Sequence, residues 1–393
     1  MKELRQLREG DFDELLEMLN YTFGTHYGRG MDFLNEQPNM WVRDDEHMGR
    51  HFGIFDGGKL ASVVGIYPLP TVIDGTKVLF ATTGNVATHP DFTGRGYFTE
   101  LFTKIMAELD TINADAARLG GARQRYARFG FEPCGTLHKF MINERTRKAC
   151  QKEPTGIEFK AVDEGDIKEL AFIDGLSKKA LMYVDRSPDF GYRHVFLNLC
   201  SKHARPYIAM KDGEFVGYLS SYADSQFIGR STDGRNIAEI RAITPQILRD
   251  MVFAWQERCG RDVEVPIAPF MKDEVRIFSG IAQSMTTHTP SHFKFRKFEN
   301  VSDALMRVKA KTVDMPEGEF AIEIADYGRI CFYNRGGVAG CEKTNVAPIA
   351  TLNKNDAARL IFGPHSPEAV CDLPYIARAF LPLPLTWNTN DYT

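Results

Sequence analysis

The chain repeats itself. REGDFDELLEML (residues 8–19) is followed by FGIFDGGKLASVVGIY (52–67), and DEGDIKELAFID (163–174) is followed by YIAMKDGEFVGYLSSY (207–222). Each copy offers a helix with apolar residues at i, i+3 and i+4, then a hairpin turning at Asp-Gly or a neighbouring glycine. Two copies of one α/β unit is the economical reading. A third pattern follows them: GEFAIEIADYGRICFYNRGGVAGC (318–341) alternates like strands with Gly-rich turns, and TLNKNDAARLIFG (351–363) is a short helix stopped by glycine. The 393 residues suit several cores, since one core rarely exceeds about 250–300 residues. The expected units are 1–150, 151–292 after the charged segment NERTRKACQKEPTG, and 293–393. The tail FLPLPLTWNTNDYT is too rich in proline for a helix and too apolar for solvent, so it should pack against the body.

Within the first copy, one junction carries chemistry. KVLFATTGNVAT (77–88) reads as a strand, and Phe98, Leu101, Phe102, Ile105 and Leu109 fall at helical spacing. Between them lies HPDFTGRG, so Gly94 and Gly96 sit in a strand-to-helix turn. Backbone N–H groups at a helix start attract an anion, most often a phosphate. The second copy reads NIAEIRAITPQILRDMVFAW (236–255), strand then helix with no glycine, and is expected to have lost this capacity.

Composition narrows the function. A formal charge of −4 argues against a nucleic-acid platform or an anionic-membrane binder. No apolar run reaches the ~20 residues that span a bilayer, and the amino terminus is amphipathic and unlike a signal peptide. Seven scattered cysteines without a CxxC pair suggest reduced thiols in a cytoplasm. Cysteines so far apart suggest no zinc site, and no metal is expected.

The turn resembles that of the Gcn5-related N-acetyltransferases, whose Arg/Gln-x-x-Gly-x-Gly/Ala signature binds the pyrophosphate of acetyl-coenzyme A. The window here is Thr93-Gly-Arg-Gly96-Tyr97-Phe98, with Thr93 and Phe98 departing from the pattern. RYARFGFEP (125–133) resembles the family's later FYxxxGFE segment. An intact unit, a degenerate unit and a sterol-carrier-protein-like α+β domain together resemble the enhanced intracellular survival acetyltransferases.

The resemblance implies direct transfer of acetyl from acetyl-coenzyme A to an amine, small molecule or peptide, in a cytoplasmic homo-oligomer. It puts Asn85, Val86 and Thr88 beside the pantetheine arm, and Gly94, Arg95, Gly96 and Tyr97 around the pyrophosphate. Tyr126 becomes the acid that meets the departing thiolate. The strand at 77–88 holds no carboxylate to act as base, and the family's terminal carboxylate would here be Thr393; His26 and Asp391 are alternatives. His26 and Trp41 are expected at the acceptor pocket. A protein that kept the fold as a ligand binder or lipid carrier is the competing reading.

Overall fold

The long β-rich run between residues 51 and 88 builds the first sheet. The computed structural model describes residues 1–186, 191–222 and 237–391. Strands β1 (Lys2–Gln6), β2 (His51–Asp56), β3 (Lys59–Ile73) and β4 (Thr76–Thr88) pair antiparallel in sequence order, and β5 (Ala116–Leu119) joins β4 in parallel. The crossover is the helix Tyr97–Thr111, which buries Tyr97, Leu101, Phe102, Ile105 and Leu109 against the sheet. Tyr97 takes the inward place that spacing assigned to Phe98, and Phe98 is half-buried.

The next strands are shared between units. After β6 (Glu132–Cys134), the chain turns at Gly135–Thr136 into β7 (Leu137–Ile142). The second unit supplies β8 (Glu158–Ala161), β9 (Met182–Val184), β10 (Arg205–Lys211), β11 (Glu214–Ser221), β12 (Ile237–Ala242), β13 (Val263–Ile267), β14 (Ser284–His288) and β15 (Ser291–Phe295). Its sheets run β12-β11-β10-β8 and β13-β7-β14, so β7 of the first unit sits at the centre of the second. In return β15 enters the first sheet between β5 and β6. Divisions at 150/151 and 292/293 therefore do not separate the sheets: β7 lies before the first and pairs beyond it, and β15 straddles the second.

The last unit packs the helix Phe298–Thr312 on an antiparallel sheet of β16 (Gly318–Ile324), β17 (Gly328–Arg335) and β18 (Val338–Lys343), with β19 (Thr351–Leu352) parallel to β16. Phe320, Phe332 and Phe380 fill its interior. The tail then runs inward. Leu381, Leu383, Leu385 and Trp387 are all buried, with half-buried prolines between the leucines. Proline has no N–H to satisfy, so the alternation buries apolar side chains without orphaning donors. Each such side chain contributes about 1.5–3 kcal/mol. The tail is tied to the strand crossover, since Thr136 N–H donates to Leu385 O at 2.7 Å.

Where the tail meets the second unit, a buried ionic knot forms. Arg186 bonds Glu239 Oε2 and Asp391 Oδ1, both at 2.7 Å, and Tyr218 donates to Glu239 Oε1 at 2.5 Å. Burial alone would raise the Glu239 carboxyl, but Arg186 overrides it and brings it from 4.5 to about 2. Burial raises the Asp391 carboxyl, which Arg186 offsets only in part. Glu239 thus stabilises the fold fully above pH 4.5 and loses that contribution as pH falls towards about 2, while Asp391 acts in the opposite sense. Removing one partner of a buried pair strands the other charge. Glu239→Ala should cost about 3–5 kcal/mol, read as a lower urea midpoint at neutral pH; an unchanged midpoint would refute the role.

Candidate active site

The first sheet forks. β4 pairs with β5 only over residues 80–82 against 116–118, and from Thr83 onward the two strands separate. At the fork sits Arg118, fully buried, with Nη1 donating to Thr82 Oγ1 (2.9 Å) and to the Asp391 carbonyl (2.8 Å). Its guanidinium also lies 5.0 Å from the Trp387 ring. The freed edge of β4 lines a cleft of about 1280 Å³ that includes Thr83, Asn85, Val86 and Thr88.

A bulge interrupts β4 there, with register shifting between Val63 and Gly65 of β3 and Asn85 held at φ 50°. The left-handed backbone suits Asn better than most residues. The Asn85 amide donates to Tyr67 Oη (2.7 Å), whose hydroxyl faces His51 Nε2 (2.8 Å). Burial lowers the His51 pKa to about 4, so the ring is neutral. With Nδ1 facing the Met48 carbonyl, Nε2 is left to accept from Tyr67. This dry relay fixes the bulge.

Beyond β4, Gly94 (φ 78°) and Gly96 (φ 79°) make the turn, and Gly96 precedes the helix Tyr97–Thr111 with no side-chain cap. The first-turn N–H groups are thus left for a ligand. A Cβ at either glycine would meet only open space, so glycine serves the positive φ here and leaves the cleft clear. Gly94, Gly96 and Tyr97 line the cleft. Arg95 does not: its Nη1 donates to Asp56 Oδ2 at 2.7 Å, sharing that oxygen with Tyr97 Oη, and it lies over the Phe92 ring. The arginine ties the turn to the β2–β3 hairpin, a partner that spacing could not reveal.

Tyr126 ends the one-turn helix Arg123–Tyr126, facing the turn across the cleft, with its ring against Phe102 and Phe98. Gly121 holds φ 127°, and a Cβ there would come within 2.9 Å of the Tyr126 ring, so only glycine lets the ring settle. Burial raises the phenol pKa against the opposing charge of Arg125, keeping the proton in place at neutral pH.

The other end of the cleft is lined by the helix Phe12–Tyr27 and the segment after it. His26 is exposed within it, edge-on to Tyr27. Trp41 is not in the cleft: it is buried, its indole donates to the Phe33 carbonyl at 2.6 Å, and it stacks on His51. It belongs to the core beneath the bulge. The second unit contributes Lys202, His203, Tyr222 and Ile237, none of which lies in a recognisable motif. Asp391 is buried in the ionic knot, and Thr393 lies outside the described residues.

Residues 3–134 match the family model described as an acetyltransferase (GNAT) domain. No curated protein matches the chain in sequence. Among solved structures, a GCN5-related N-acetyltransferase from Anabaena variabilis matches with a TM-score of 0.68 at 14% identity, covering 100% of both chains. Eis1 from Mycobacterium abscessus matches with 0.66 at 14% identity, again over 100% of both. A conserved protein from Enterococcus faecalis, described as a probable N-acyltransferase, matches with 0.65 at 15% identity, over 94% of this chain and 92% of its own. Residues 3–134 are therefore a Gcn5-related N-acetyltransferase domain, set in a chain that has the fold of Eis1 along its whole length.

Proposed function

We propose that the protein transfers an acetyl group from acetyl-coenzyme A to the nitrogen of an amine. The observation that carries this reading is the single cleft in which an uncapped glycine turn, a freed strand edge and a protonated tyrosine meet. Acetyl-coenzyme A would supply the acetyl group as a thioester. The edge of β4 at Asn85, Val86 and Thr88 would pair with the pantetheine amides, as an added strand does. The N–H groups around Gly94, Gly96 and Tyr97 would hold the pyrophosphate. Tyr126 would give its proton to the sulfur as the carbon–sulfur bond breaks, while a base takes a proton from the amine.

For the base we put forward the terminal carboxylate of Thr393. Support comes from Asp391, whose carbonyl shares Arg118 Nη1 with Thr82, one residue from cleft-lining Thr83. Two further residues can span roughly 7 Å.

Release of thiol from acetyl-coenzyme A with a panel of amines tests the activity. Calorimetry should give one coenzyme per chain, because the second unit lacks the glycine turn. Its own strand fork, at Glu239 and Arg241 of β12 and Pro266 of β13, is lined by Thr386, Trp387 and Asp391 of the tail. Two coenzymes per chain would overturn that assignment. Gly96→Val places a β-branched residue at φ 79° and a side chain in the cleft; the coenzyme Kd should rise about tenfold or more. Unchanged binding would remove the turn from the site.

A further inference from the structure

We infer that Arg128 binds the 3′-phosphate of the coenzyme at the mouth of the cleft, with Arg125 adding charge from within, so that this phosphate selects the donor. The inference rests on the acetyltransferase reading and deepens it at the coenzyme end of the same cleft.

Two guanidiniums without a counter-charge are the first ground. Arg125 and Arg128 are exposed, lie over the Phe98 ring at 5.6 and 5.7 Å from its centroid, and make no ion pair with a described residue. The carboxylates on the elements around them are engaged elsewhere. Glu132 holds Arg123 at 2.9 Å, Glu100 holds Lys2 at 2.8 Å, and Asp56 accepts from Arg95 and the Tyr97 hydroxyl, both at 2.7 Å. The terminal carboxylate proposed as base is led by Asp391 towards Thr82, the other end of the cleft-lining strand from the glycine turn.

The position of Arg128 is the second ground. Its Nη2 donates to Thr99 Oγ1 at 2.9 Å, in the first turn of the helix Tyr97–Thr111, and its guanidinium also lies 4.9 Å from the Phe129 ring. A cation beside the start of a helix opposes the macrodipole, and two neighbouring cations repel. An anion between them reverses both effects. The N–H groups of the turn are assigned to the pyrophosphate, so the anion left over is the 3′-phosphate, a monoester with about 1.5–2 negative charges at neutral pH. Phe98 and Arg125 line the cleft and Arg128 does not, so Arg128 stands just outside, where a ligand running along β4 and past the turn would leave the protein. Arg125 also bears on the Tyr126 phenol, so the selectivity falls to Arg128. Its planar fork matches phosphate oxygens in pairs.

Coenzyme A and its 3′-dephospho form differ only in this group and provide the test. By calorimetry coenzyme A should bind the wild type about 10–100-fold more tightly, the span of a hydrogen bond to a charged group. Arg128→Gln should weaken coenzyme A about tenfold and leave the dephospho form unchanged, with Arg128→Lys falling between. Thr99→Val keeps the charge and removes the oxygen that orients it, so it should narrow the ratio by a smaller factor. Equal binding of the two forms by the wild type would overturn the inference. So would an Arg128→Gln variant that loses affinity for both alike, the mark of a residue that merely braces the helix start. Either result leaves the acetyltransferase standing, because both forms carry the pyrophosphate and the pantetheine arm. Failure of the underlying reading has a different signature, in which neither form binds or no amine releases thiol from acetyl-coenzyme A.

Discussion

Replacing Tyr126 by phenylalanine should lower kcat by about 10²–10⁴-fold while the coenzyme Kd stays within a factor of two or so. The substitution removes one oxygen and keeps the ring, which packs on Phe102 and over Gly121. A structural tyrosine would show its loss in stability and not in turnover. A hydroxyl that protonates a departing thiolate would show the reverse, because the ground-state complex does not use that proton. Burial of the phenol makes the assignment coherent, since an acid must hold its proton until the transition state. Single-turnover kinetics separate the chemical step from product release. Wild-type rates in this variant would return Tyr126 to the core.

Deleting Tyr392 and Thr393 should abolish turnover to a similar degree, again with coenzyme binding retained. The cut leaves Asp391 in place with Arg118 and Arg186, so the knot that holds the tail survives. What changes is the position of the terminal charge, moved back by two residues. An α-carboxyl group has a reference pKa of about 3.3–3.7, so at neutral pH it is ionised, able to attract a cationic amine and then accept its proton. Appending a few glycines should do nearly the same damage, keeping the charge but displacing it. Full activity in the truncated protein would transfer the role of base elsewhere, with His26 the exposed candidate in the cleft.

The parts of the site legible in the sequence are those written in contiguous residues. Gly94 and Gly96 announced themselves because a strand, a turn and a helix fit within one short stretch. Tyr126 was legible through a local motif, and the apolar tail through composition alone. Trp41 misled because an aromatic beside an expected pocket looks the same as one beneath it, and only the Phe33 carbonyl and the His51 ring decide which it is. The partner of Arg95, Asp56, lies across a hairpin, where local spacing does not reach. Lys202 was invisible for a related reason. It occupies a short turn after the helix Tyr192–Leu199, at φ 56°, and reaches the cleft only because the second unit is folded against the first. The exchange of β7 and β15 had no local signature either, since each reads as an ordinary short strand whichever sheet receives it.

That exchange constrains how the protein can be born. During synthesis the first sheet must wait, open between β5 and β6, until the ribosome has delivered β15 at the far end of the second unit. Until then both strands present unpaired edges, the condition that invites pairing with another nascent chain. Long sequence separation between partners also slows the closing step. The segment that matches the acetyltransferase family model, cut at residue 134 or 150, would thus lack one strand of its sheet. That strand, β15, second from one edge of the sheet, is encoded in the second unit, so each unit completes a sheet of the other.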